Sequence, residues 1–340
     1  MDPQIPTQRP THLQGRQCQL PAETKSLPEL QDGQLLIKTL LMSNDPAQRA
    51  WLNETKGLYV APVALNGPMR ARGICEVLES KSDKFKVGDK VSCTMGWVEY
   101  AVVDDKECLP TPEPPQGLNY SHYLGALGGT GLTAYYGLVV IGEAKAGQTV
   151  VVSGAAGATG SMVVQIAKGI VGCGKIVGLA GSDEKCRWVE KLGADVCVNY
   201  KAKDWKEQLG EACGKDGVDV YFDNVAGETL DEMLANLKQG GVVVACGGIS
   251  GYNDDEPTVL KNYMYTVFQR LSIRGFIVTD YLSKAKETIE LLVKSAQEGK
   301  LKIDEESESV VPTKFEDIPK TWHMLFEGGN RGKLVTKIVG

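Results

Sequence analysis

Between residues 148 and 248 short apolar runs alternate with amphipathic segments in a steady rhythm. QTVVVSGA (148–155) reads as a buried strand and TGSMVVQIAKGI (159–170) as a helix, and KIVGLAG (175–181) with DEKCRWVEKLG (183–193) repeats the pair. DVCVNY (195–200) and VDVYFDNVAG (218–227) continue as strands, the latter ending in a turn, before the helix TLDEMLANLKQ (229–239) and the strand GVVVACGG (241–248). Regular exchange of strand and helix builds βαβ units, so the fold expected here is a doubly wound parallel sheet covered on both faces. TAYYGLVVIGEA (133–144) should add a helix ahead of this run. LSKAKETIELLVKSAQEG (282–299), apolar at Ile289, Leu292, Val293 and Ala296, should close it.

The flanking sequence has a different texture. GQLLIKTLLM (33–42), RGICEVLES (72–80), VGDKVSCT (87–94) and WVEYAVVD (97–104) are short strands between Gly, Asp and Lys clusters, as in a β-rich domain. LPTPEPPQGLNY (109–120) is too proline-rich for a regular element and marks a connection. The last forty residues return a strand (309–312), a helix (315–327) and a strand (332–339), expected to complete the first domain. The 340 residues, at about 150 per domain, therefore divide into a β-rich domain of 1–125 with 308–340 and an α/β domain of 126–307.

The net charge of −6 and the lack of any Lys/Arg block make nucleic acid and anionic membranes unexpected partners. No apolar run approaches the roughly 20 residues that cross a bilayer, and MDPQIPTQRPTHLQG lacks the apolar stretch of a signal peptide. Nine scattered cysteines with no C-x-x-C pair suit a reduced, cytoplasmic setting. The three histidines, His12, His122 and His323, have no His or Cys at metal-ligand spacing, so no metal site is expected.

The chemistry concentrates in VVVSGAAGATGS (150–161), a strand running through Gly154, Gly157 and Gly160 into a helix. Gly157 lets the backbone approach a pyrophosphate, Gly160 lets helix pack on strand, and the helix N-terminus offers N–H groups and a positive dipole end. A glycine trio alone also makes purely structural turns; the strand before and helix after favour a dinucleotide. NAD proteins place an acidic residue at the end of the next strand, where this chain has Ala180-Gly181-Ser182. That leaves room for a 2′-phosphate, with Ser182 and Lys185 to bind it, and favours NADP(H). Asp183 and Glu184 oppose this, and Lys185 also reads as an ordinary solvated lysine on a helix face.

With these residues in hand, the chain resembles the zinc-independent medium-chain dehydrogenase/reductases. Within them it is most similar to the branch of NADPH-dependent alkenal double-bond reductases and prostaglandin reductases (leukotriene B4 12-hydroxydehydrogenases). The matching stretches span nearly the whole chain: SNDPAQRAWL (43–52), GWVEYAVV (96–103), LGALGGTGLTAYYGL (124–138), SGAAGATGS (153–161), GSDEKCRWVEKLGAD (181–195), NYK (199–201), YFDNVAGE (221–228), CGGISGYN (246–253), RGFIV (274–278) and GGNRGK (328–333). The resemblance implies a GroES-like catalytic domain plus a Rossmann domain, with NADP(H) in the cleft between them. Ala158, Thr159, Gly160 and Ser161, with Gly157, would face the pyrophosphate, Ser182 and Lys185 the 2′-phosphate, and Tyr200 the adenosine end. Asn224, Cys246, Ile249, Ser250, Tyr252, Phe276, Val278 and Asn330 would line the rest of the channel. Relatives are often homodimers. The chain departs from the family's G-M-P-G-L-T-A-Y, having Gly129-Thr130 for Met-Pro, and Thr279-Asp280-Tyr281 follows Phe276-Ile277-Val278 where relatives are often aromatic.

Zinc alcohol dehydrogenases of this architecture need a Cys, a Gly-His-Glu and a four-Cys lobe, whereas this chain has Arg72-Gly73-Ile74-Cys75-Glu76 and no lobe. Metal-assisted alcohol oxidation is therefore disfavoured. Reduction of an α,β-unsaturated aldehyde or ketone fits: hydride adds to the β-carbon, and charge on the carbonyl oxygen needs preorganised donors. Tyr252 with the nicotinamide ribose hydroxyl is the candidate pair. A phenol with pKa of about 10 is a donor first and a proton source second; packing under a loop is the alternative role for Tyr252. Trp51, Tyr59 and Phe276 are candidate substrate walls or plain core. Two other functions share the same cofactor residues, a zinc-free NADPH:quinone reductase and a catalytically idle NADPH-binding protein. The N-terminal Met1–Gln17 carries no readable role, and the natural substrate is not legible.

Overall fold

The computed structural model describes residues 4–8, 22–52, 59–64, 66–253 and 259–339. His12, Cys18 and most of the Met1–Gln17 segment lie outside the described residues. The chain forms two units, Met1–Leu124 with Glu308–Gly340, and Gly125–Ser307.

The first unit is a GroES-like β fold. β1 (Gln4–Gln8) and β2 (Ala22–Ser26) pair antiparallel. The main sheet uses β3 (Gln34–Ser43), β4 (Arg72–Ser80), β5 (Lys90–Thr94), β6 (Tyr100–Asp104) and β7 (Cys108–Pro110). β3 alternates as half-buried strands do, turning Leu35, Ile37 and Thr39 inward against Cys75, Val77, Val91 and Cys93. Strand β6 pairs with β3, beside β4, β5 and β7.

The second unit is a Rossmann sheet of β8 (Thr149–Val152), β9 (Lys175–Ala180), β10 (Val196–Asn199), β11 (Val218–Asp223), β12 (Leu237–Ala245) and β13 (Ser272–Gly275). Their order is β10-β9-β8-β11-β12-β13, and every pairing is parallel. β11 is buried along its whole length, as a strand covered on both faces must be. The chain then re-enters the first unit: β14 (Glu308–Thr313) pairs parallel with β15 (Lys333–Ile338), which lies antiparallel to β3. A buried ion pair fixes this return. The Lys333 ammonium donates to the Asp45 carboxylate at 2.6 Å and to the Asn44 carbonyl at 3.0 Å. Burial alone would raise the Asp45 pKa, but Lys333 outweighs it and holds the carboxyl below its ordinary value.

Several boundaries differ from the sequence expectation. The helix expected at 229–239 spans Gly227–Asn236, and the strand after it begins at Leu237 rather than 241, because Leu237 pairs with Val218 and is buried. The helix expected at 133–144 starts earlier, at Gly129, and continues as a π-helical turn over Tyr136–Ile141. No helix among the described residues is long and apolar enough to cross a membrane.

Candidate cofactor and active site

The end of β8 shows why the glycines are needed. Gly154 takes a left-handed φ of 58°. The Gly157 N–H closes the turn on the Gly154 carbonyl at 2.9 Å, while the Ala155 N–H ties it to Leu179 of β9 at 2.9 Å. A Cβ on Gly160 would overlap the Gly154 carbonyl oxygen and meet the Ala155 Cα at 2.8 Å. Helix Ala158–Ile166 starts at Gly157 with no side chain capping it, so the N–H groups of its first turn face outward with the dipole. Ser161 is buried, and its hydroxyl donates to the Ala158 carbonyl at 3.2 Å.

The end of β9 gathers the 2′-phosphate candidates. The Ser182 hydroxyl caps helix Asp183–Lys191 by accepting the Lys185 N–H at 3.3 Å. Burial first, and the neighbouring Lys201 second, lower the Lys185 pKa against the pull of Glu184. Two ammonium groups close enough to repel make a site that a phosphate dianion relieves. A Cβ on Gly181 would stand 2.9 Å from the Tyr200 hydroxyl and 3.5 Å from the Lys201 Cε, so the missing side chain leaves a recess between Tyr200 and Lys201. Asp183 is turned aside, accepting the Asn199 amide at 2.7 Å. Lys201 is given no role by the sequence reading, although it closes the matching stretch NYK (199–201) directly after Tyr200.

At the ends of β11 and β12, Asp223 organises the loops. One carboxylate oxygen accepts from the Tyr221 hydroxyl at 2.8 Å, the Ser153 hydroxyl at 2.9 Å and the N–H groups of Val225 and Ala226 at 3.0 Å. Asn224 donates its amide to the Ser153 carbonyl at 2.7 Å. Ala226 is held at a φ of 60°, strained for a residue with a Cβ. The Cys246–Tyr252 loop docks on this frame: the Cys246 and Gly247 N–H groups reach the Asp223 carbonyl, Ile249 reaches Asn224 and Ser250 reaches Val225. Tyr252 folds back so that its hydroxyl accepts the Gly248 N–H at 3.4 Å. Burial, reinforced by Asp223, pushes the Cys246 thiol up to about 12, so it stays protonated. Phe276 borders the groove at this strand end, but its ring also packs inward, and a Cβ on Gly137 would clash with it and with Phe222. Half-buried Val278 opens the short helical segment that follows.

The remaining candidates belong to the first unit. The Trp51 indole N–H donates to the Tyr59 hydroxyl at 3.2 Å, with the Arg70 guanidinium over the Trp51 ring. Tyr59 is half-exposed, unlike a core aromatic. Asn330 donates its amide to the Gly332 carbonyl at 3.0 Å. Among the described residues no group of three or more His, Cys, Asp or Glu side chains is arranged to hold a metal.

Comparison with known proteins follows this geometry. The profile of the N-terminal domain of oxidoreductases matches residues 7–111, and that of the zinc-binding dehydrogenases matches residues 158–294. Prostaglandin reductase 1 of Rattus norvegicus is 36% identical, covering 92% of each chain. The 2-alkenal reductase (NADP(+)-dependent) of Nicotiana tabacum is 35% identical, covering 89% of this chain and 87% of that one. The crystal structure of CurA in complex with NADPH from Vibrio vulnificus superposes with a TM-score of 0.88 at 32% identity, covering 99% of both. The chain belongs to the medium-chain dehydrogenase/reductase family, in the zinc-independent branch that holds the prostaglandin and alkenal reductases.

Proposed function

We propose that this chain is an NADPH-dependent oxidoreductase that reduces the activated C=C bond of α,β-unsaturated aldehydes and ketones. The observation that carries it is the Tyr252 loop: Asp223 and Asn224 fix the loop at the strand ends, where open α/β sheets bind ligands. The residues fit the cofactor. Gly160 has no room for a Cβ against the turn, which brings the first turn of helix Ala158–Ile166 close to the strand end where a pyrophosphate would approach, and Ser182, Lys185, Tyr200 and Lys201 lie around a recess suited to a 2′-phosphate. When bound, NADPH supplies the hydride that adds to the β-carbon.

The chain's own residues do the rest. The Tyr252 hydroxyl, held by the Gly248 N–H that it accepts, would donate to the carbonyl oxygen as negative charge grows there. The α-carbon is then protonated by Tyr252 or by water. The glycine-rich wall of Gly247 and Gly248 admits a flat substrate, and the protonated Cys246 thiol does not compete for the electrophilic β-carbon. In this reading residues 126–307 hold the cofactor. Tyr252→Phe is expected to lower kcat by roughly 10- to 100-fold while leaving the NADPH KM within about twofold; an unchanged kcat removes Tyr252 from the chemistry.

The protein works as a homodimer in this account. β13 ends the six-stranded sheet, and beside it Tyr263, Met264, Val267, Phe268 and Ile273 are exposed. An edge strand with no outer partner among the described residues, and with an apolar flank, suits pairing with a second copy about a two-fold axis. Phe268→Asp should shift the light-scattering mass from two chains to one; a wild-type monomer would remove the dimer. The eight described cysteines are free thiols, in keeping with a cytoplasmic protein.

The test is NADPH absorbance at 340 nm with an aliphatic 2-alkenal, an aromatic enone and a quinone, each with and without EDTA. Chelator-insensitive turnover of the alkenal or enone is expected. Turnover of the quinone alone would replace this reading, and tight NADPH binding with no turnover would leave an idle cofactor-binding protein.

A further inference from the structure

An open groove of about 560 Å³ runs along the C-terminal ends of β12 and β13. Its lining is almost all backbone and apolar surface: Ala245, Cys246, the glycines 247, 248 and 275, Phe276 and Ile277. Asp280 is the one charged side chain among the lining residues, and it is exposed. Its backbone N–H closes a turn on the Ile277 carbonyl at 3.2 Å, which sets the residue at the groove's rim. Among the described residues no side chain hydrogen-bonds to its carboxylate or pairs with it. The nearest cation along β13, Arg274, is engaged elsewhere, donating to the Ile141 carbonyl at 2.8 Å and facing Glu143 at 3.5 Å.

We infer that Asp280 sets the substrate class of this groove, admitting uncharged enals and enones and rejecting those that carry a carboxylate close to the reacting carbonyl. The inference rests on the reductase reading above. The groove shares Cys246 and Phe276 with the proposed cofactor channel, so a substrate would lie toward its rim, where a carboxylate would find glycines and apolar side chains in place of a cation, and the fixed negative charge of Asp280. At a separation of about 7 Å in a half-solvated groove, like charges cost roughly five- to tenfold in binding, and salt weakens the effect. Neutral substrates of the same shape escape this cost, and a cationic tail gains by it.

The test uses one enone carrying three alternative tails, a free carboxylate, its methyl ester and a quaternary ammonium, with a simple 2-alkenal as control. In the wild type, kcat/KM should favour the ester over the acid by about tenfold, and 0.5 M salt should shrink that ratio. Asp280→Asn should bring the ratio to about twofold or less, and Asp280→Lys should invert it, both with an unchanged NADPH KM. A ratio that is the same in wild type and both variants overturns the inference, as does a change in NADPH KM in place of substrate discrimination. If the 2-alkenal is reduced in that case, the reductase reading stands and only the role of Asp280 falls; if neither it nor any enone is reduced, both fall.

Discussion

Gly160→Ala is expected to remove NADPH binding by at least about tenfold and to lower the melting temperature by about 5 °C or more. The new Cβ would overlap the Gly154 carbonyl oxygen and press on the Ala155 Cα, both backbone atoms of a turn tied to β9. A flexible side chain could swing away, but this backbone cannot, so helix Ala158–Ile166 must tilt off the sheet or the turn must open. Overpacking of this kind costs about 1–3 kcal/mol and sometimes more, and each kcal/mol shifts a domain of this size by roughly 2–4 °C. Either movement takes the first-turn N–H groups out of line with a pyrophosphate. Thermal melts with and without NADPH check both effects. A variant that melts and binds like the wild type would mean the helix does not depend on this close approach.

The second large effect is expected at the 2′-phosphate. Lys185→Ala should raise the NADPH KM several-fold, up to about tenfold, and leave the NADH KM nearly unchanged, since a charge-assisted hydrogen bond is worth about 1.5–3 kcal/mol before solvent screening. Lys201→Ala should have a smaller effect of the same kind. The double variant should lose most of the preference for NADPH, with some non-additivity because the two ammonium groups repel one another in the free protein. The same repulsion and burial predict a pH dependence. Lys185 is charged below its lowered pKa, so NADPH affinity should fall as pH rises, beginning earlier than for an ordinary lysine, while NADH affinity stays flat. Equal losses for both cofactors would sink the phosphate assignment.

The Rossmann half was readable because its signals are local. Val150–Val152 and Val220–Phe222 are continuous apolar runs that only a sheet covered on both faces buries, and Gly154 and Gly160 sit where a positive φ and a close helix approach demand them. Other features depend on contacts distant in sequence. Leu237 looked like the end of a helix because Lys238, Gln239 and two glycines follow it, yet pairing with Val218 makes it strand. β1 and β2 escaped notice because QIPTQ and AETKS are too polar to show a buried face. Among the candidate site residues, the offset to the glycine turn singles out Ser182 and Lys185. Lys201 is not singled out, because the recess at Gly181 exists only once β9 and β10 lie side by side. Phe276 reads from the sequence as either substrate wall or core, and the structure gives it both surroundings, since it lines the groove at the strand end while its ring fills the space that the missing Gly137 side chain leaves.

The central claim is transfer of hydride to the β-carbon of a conjugated carbonyl. It is tested most directly by supplying NADPH labelled with deuterium at C4, in each of its two epimers, together with a 2-alkenal, and locating the label in the product by mass spectrometry and NMR. The account predicts a saturated aldehyde with one deuterium on the β-carbon from one epimer only, unaffected by EDTA. Deuterium on the carbonyl carbon, giving an allylic alcohol with the double bond intact, would contradict it.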